Sequence, residues 1–200
     1  MKKIINFLLI ITTVSTLYAD FKIMGGVNFS RYIVSPKEEG VKWDYERGFI
    51  GGIGLEKKIT DRMLLEFNFL FFKKGSKVEF ADFPDLKETY RINAFSIPVL
   101  LRRKFFYGSS PYALGGVEFS SILTHKAKFE GEEAVDIKEN TKKIDLGLVL
   151  GCGYELELEE NLYLFIEARY HHGLVNIMSN PVEDQSMKNS TILILIGLRS

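Results

Sequence analysis

Six charged residues pose the first chemical question of this sequence: Glu66, Arg102, Glu118, Glu155, Glu167 and Arg169. Each sits within a stretch rich in apolar residues but out of phase with the large ones, the spacing expected of a separate, inward face. Carboxylates and guanidinium groups gathered in an interior could form a gate or a proton path. They could also form a structural plug of ion pairs, because buried charges must be paired or hydrated. Pairing two neighbouring apolar segments about Glu160 sets Gly153 opposite Glu167 and Gly151 opposite Arg169. Absent side chains there leave room for bulky ones, which favours the plug. The histidines do not suggest a metal site: His125 is remote in sequence, and the adjacent His171 and His172 would face opposite sides of a strand. No G-x-S-x-G motif marks an activated serine. The single cysteine, Cys152, excludes an internal disulfide and a cysteine-based zinc site. No catalytic, cofactor or metal residue is therefore assigned, and enzymatic activity is not expected.

The elements that must position these charges alternate with period two. Met63, Leu65, Phe67, Phe69 and Phe71 share one face, while Glu66 and Asn68 share the other. Leu146, Leu148, Leu150, Cys152, Tyr154 and Leu156 oppose Asp145, Gly147, Gly151, Gly153, Glu155 and Glu157. Leu162, Leu164, Ile166, Ala168 and Tyr170 oppose Glu167, Arg169 and His171. Five looser segments, at about 21–33, 48–59, 90–105, 112–123 and 189–199, bring the expected strands to eight. They exceed the ~5–6 residues of an ordinary strand and match the ~9–11 that cross a bilayer. Their connections alternate in length. Long loops are expected over 34–47, 75–89, 124–141 and 176–188, and tight turns near Asp61, Gly108 and Glu160. The pattern predicts an all-β protein: an eight-stranded antiparallel up-and-down transmembrane β-barrel with both termini on the short-turn, periplasmic side. Trp43 and Tyr45 fall in the first long loop, where packing at the membrane interface is expected.

Residues 1–19 have the parts of a secretory signal peptide: Lys2 and Lys3, an apolar run over 4–14, and a cut between Ala19 and Asp20. Residues 20–200 form the expected barrel domain. After the leader, no run approaches the ~20 apolar residues of a spanning helix. The 26 Lys+Arg balance 26 Asp+Glu, which argues against a nucleic-acid partner.

Phe95-Ser96-Ile97-Pro98-Val99-Leu100-Leu101-Arg102 resembles the fourth strand of the PorT-like outer-membrane β-barrel domain family. Pro111-Tyr112-Ala113-Leu114-Gly115-Gly116 is similar to its fifth, and Glu167-Ala168-Arg169-Tyr170 with Gly173-Leu174-Val175-Asn176-Ile177 to its seventh. Gly25-Gly26-Val27-Asn28 resembles its opening strand. The resemblance implies a small outer-membrane barrel, usually without known catalytic activity, and an end on an aromatic residue where this sequence has Ser200. Outer-membrane lipid and the barrel-assembly machinery are the partners it implies, with a secretion complex or extracellular molecules beyond them. The expected role is a non-enzymatic envelope protein with a plugged polar lumen and loops for surface contacts. An accessory role in protein secretion, a soluble lipocalin-like carrier and a barrel enzyme are the alternatives.

Overall fold

The computed structural model describes residues 19–37, 39–129, 131–181 and 184–200. Apart from Ala19, the expected leader lies outside them. The strands are β1 (Ala19–Ser35), β2 (Val41–Thr60), β3 (Met63–Phe80), β4 (Phe83–Lys104), β5 (Ser110–Phe129), β6 (Val135–Asp136), β7 (Ile144–Glu159), β8 (Leu162–Gly173) and β9 (Ser186–Arg199). Each long strand pairs antiparallel with its neighbours in the chain, and β1 also pairs with β9, so eight strands close into a ring. The two-residue β6 is an appendage on the outer part of β5. Closure leaves no unpaired edge in the wall, the condition for placing a sheet in hydrocarbon.

Period-two alternation decides which side of the wall each residue meets. Outward positions are apolar: Phe21, Ile23, Phe49, Ile53, Phe67, Phe71, Phe95, Leu101, Phe119, Leu150, Ile166 and Ile196 are all exposed. Their inward neighbours are buried, and Glu66 and Asn68 flank Phe67 with no exposure at all. Inside, side chains alternate in character along each strand. On β3, Glu66 and Asn68 are followed by Leu70 and Phe72, then Lys74 and Ser76, then Val78. Glycines make the packing fit at close approaches. A Cβ at Gly153 would strike the Tyr112 ring, and one at Gly147 would overlap the His171 imidazole.

Two expectations need correction. The long loops over 34–47 and 75–89 are mostly strand: β2 starts at Val41, and β3 meets β4 at a turn through Ala81 and Asp82. Lys77 pairs with Thr89 and Val78 with Glu88, well above the apolar belt. Above the belt the outward positions turn polar while the inward ones are apolar: Lys77 and Glu79 flank buried Val78, and Arg91 precedes buried Ile92. The greasy outward face that marks a spanning strand is lost there while backbone pairing continues. Even 124–141 is partly ordered in this way, through β5, β6 and a 3₁₀ turn at Lys138–Asn140. The second correction concerns Trp43. A register shift in β2 between Tyr45 and Ile50 reverses the phase above it. Trp43 therefore turns inward and packs against Tyr32 and Tyr90, at ring separations of 5.7 and 5.5 Å, rather than at the membrane interface.

Candidate functional site in the barrel interior

The strand ends nearest the termini carry an ionic cluster. Lys22 on β1 reaches Glu66 on β3 at 2.8 Å and Glu56 on β2 at 3.2 Å. Arg102 on β4 spans three carboxylates: Nη2 to Glu56 at 2.8 Å, Nε to Glu66 at 3.1 Å and Nη1 to Glu155 at 3.2 Å. Lys104 caps Glu155, and Arg169 holds Glu167 on its own strand and approaches Glu66 at 3.8 Å. Arg199, near the end of β9, closes the set on Asp20 at 3.1 Å, Glu155 at 3.5 Å and Glu56 at 3.6 Å. Lys22, Glu56, Glu66, Arg102 and Glu155 have no side-chain exposure. Five cations face five carboxylates, so the desolvated charge is balanced.

Aromatic rings complete the cage. The Tyr112 hydroxyl donates to Glu167 at 2.9 Å, and Arg102 lies 4.8 Å from the centre of the Tyr112 ring. Lys22 lies over Phe165 and Arg199 over Tyr163, at 4.7 and 4.0 Å. The register puts Gly153 opposite Glu167 and Gly151 opposite Arg169, and it is the glycine at 153 that admits the Tyr112 ring. Such an arrangement can fix neighbouring strands to one another.

Of the six residues singled out from the sequence, Glu66, Arg102, Glu155, Glu167 and Arg169 meet here. Glu118 does not. It lies nearer the hairpin end, 3.3 Å from Lys74 and 3.5 Å from His171 Nε2, with Ser120 donating to it at 3.0 Å. Asp145 accepts from Asn189 at 2.6 Å in the same region. Sequence reasoning missed Lys22, Glu56, Lys104 and Arg199, although each lies on an inward phase, with Met24, Gly54, Leu100 and Leu195 respectively. The signal was present. Lys22, Lys104 and Arg199 near segment ends, and Glu56 next to Lys57 and Lys58, look locally like solvated overhang.

Nearer still to the hairpins is a third layer. Tyr32, Ile92, Ala94, Ile122 and Ile177 form an apolar cluster, with Trp43 and Tyr90 packed on it. A register shift between β4 and β5 at Asn93/Ala94 turns His125 inward. Thr141 donates its hydroxyl to the Ile137 carbonyl, so it accepts from His125 Nδ1 at 2.6 Å, and His125 Nε2 lies 3.1 Å from the Tyr32 hydroxyl. These contacts accommodate a neutral imidazole, with Tyr32 as the donor to Nε2. Burial accordingly pushes the His125 pKa down to about 4, with Asp136 pulling weakly the other way.

A closed eight-stranded ring, apolar outside and charged within, defines a transmembrane β-barrel of the outer-membrane kind. The outer membrane protein beta-barrel domain family matches residues 13–179, and the chain belongs to that family. Among solved structures, OprG of Pseudomonas aeruginosa is similar over 91% of this chain and 95% of its own, with 16% identity and a TM-score of 0.54. Neisserial surface protein A covers 90% of this chain and 97% of its own, at 15% identity and a TM-score of 0.46. Ail of Yersinia pestis covers 92% of this chain and 100% of its own, at 14% identity and a TM-score of 0.45. No curated protein matches the chain.

Proposed function

We propose that this protein is a non-enzymatic outer-membrane barrel whose interior is plugged and whose hairpins serve surface contacts and envelope integrity. The ionic cluster carries the reading: Arg102 bridges Glu56, Glu66 and Glu155 across the interior with no exposure. Eight strands enclose a bore that side chains can fill. Within this reading the leader is removed between Ala19 and Asp20, the assembly machinery inserts the chain, and both termini and the tight turns face the periplasm. Membership of the PorT-like branch belongs to the same reading, supported by the strand motifs given above. Planar-bilayer recording of the purified barrel tests it: stable openings should be absent or small at both polarities. Large, long-lived conductance steps from the folded protein would overturn the plug.

A further inference from the structure

The outward wall above the apolar belt carries a dense group of cations on β3, β4 and β5. Lys77 on β3 pairs with Thr89 on β4, which pairs with Lys128 on β5. The next row toward the belt is Gly75, Arg91 and Lys126, and the one below it is Lys73, Asn93 and Thr124. All five cations are exposed. Paired strands lie ~4.8 Å apart and same-face residues ~6.8 Å apart along a strand, so these rows form one contiguous patch. Its compensating charge is small. Glu46 takes both Lys77 and Arg91, each at 3.2 Å, while Glu79 lies 3.8 Å from Lys42. Among the described residues, no carboxylate lies within ion-pair distance of Lys73, Lys126 or Lys128. A notch of about 400 Å³ opens in the patch, where Lys77, Arg91 and Lys128 outnumber the one carboxylate that lines it, Glu79. On the same wall, toward the termini, the surface becomes aromatic: Phe71, Phe95 and Phe119 face outward, and the Phe69 and Phe95 rings stack at 6.5 Å.

Cations directly above an apolar wall are complementary to an amphiphile with an anionic head. We propose that the β3–β5 wall docks a phosphorylated glycolipid of the outer leaflet, acyl chains on the phenylalanines and phosphates on the cations. The proposal rests on the reading that the hairpins face outward from the cell. A soluble polyanion would meet the hairpin tips, where Glu39, Asp82, Glu132 and Glu133 mix the sign of the charge. The cation patch instead begins directly above the belt, with the row of Lys73, Asn93 and Thr124 next to the outward phenylalanines, and rises from the height of a lipid headgroup.

The test uses the full folded chain in nanodiscs of zwitterionic phospholipid, titrated with diphosphoryl lipid A and with the same lipid after dephosphorylation. Diphosphoryl lipid A should bind preferentially, and added salt should weaken it. Changing Lys73→Gln, Lys126→Gln and Lys128→Gln together should lower its affinity by about tenfold or more. The corresponding Lys→Arg triple variant should retain binding, and heat-modified gel mobility should show both variants folded. Equal binding by the parent and the Gln variant, or by the two lipids, would overturn the site. So would a short sulfated oligosaccharide, lacking acyl chains, that binds as tightly as lipid A. Orientation is read separately, by labelling a Lys37→Cys variant on intact cells with an impermeant reagent. That separates a failed lipid site from a reversed barrel.

Discussion

His125 and Arg102 show how individual side chains tie the wall together, and each yields a measurable expectation. The unfolded chain protonates a histidine near pH ~6.5, whereas the folded protein holds His125 neutral down to about 4. Between those values the unfolded state binds more protons, so the contribution of this residue to stability falls as the pH drops from ~6.5 toward 4. Thermal unfolding of the parent and a His125→Gln variant across pH 4–7 should show a steeper acid loss in the parent. Parallel curves would mean that the imidazole is not held neutral. For Arg102, truncation to Ala removes the cation shared by Glu56, Glu66 and Glu155, none of them exposed, and leaves five carboxylates facing four cations. A loss of ~3–5 kcal/mol is expected, the usual cost of breaking a buried pair. The adjacent Arg103 points outward, and Arg103→Ala should change stability by only ~0.5 kcal/mol or less. Denaturant unfolding in detergent compares them, and equal losses would contradict the placement of Arg102.

At the scale of the strand, β3 offers the cleanest test of register. Phe67 faces outward and Asn68 inward. A spin label at 67 should be accessible to oxygen dissolved in lipid, and one at 68 shielded from it. Phe67→Arg should cost ~2–4 kcal/mol if the residue lies near the bilayer midplane. Labels shielded alike, or an accessible 68, would refute the register. β7 and β8 test the glycine argument: Gly153→Val forces its side chain into the Tyr112 ring. The variant should lose stability, and Tyr112→Ala in the same chain should restore part of it. If no such rescue occurs, the close approach that glycine serves there is that of the Ile166 carbonyl, 2.6 Å from a Cβ at 153, and not that of the Tyr112 ring. The strands themselves were legible wherever one face meets lipid and the other the interior, as over Met63–Phe71. Their extensions were not. Above the belt, Lys77, Glu79, Thr89 and Arg91 stand at outward positions where the belt carries phenylalanines, so they read as loop, and the pairing of β3 with β4 shows them to be strand.

Across the whole molecule, closure of β1 on β9 converts eight ribbons of alternating sequence into a wall with two chemically opposite surfaces. The amino-acid sequence by itself determined the all-β class, the number of spanning strands, their inward and outward faces and the positions of the tight turns. Each of these follows from local periodicity and turn residues, which need no partner strand to be read. It also placed Glu66, Arg102, Glu155, Glu167 and Arg169 on inward faces. Only the tertiary structure decided which of those charges meet. Arg102 finds Glu56, Glu66 and Glu155 on other strands because ring closure and register bring distant segments to one level of the interior. The same register carried Glu118 away to Lys74. A local phase shift then turned Trp43 into the interior. Alternation fixes the face of a residue, but its height within the barrel depends on how neighbouring strands slide, and that is set by contacts between residues far apart in the chain.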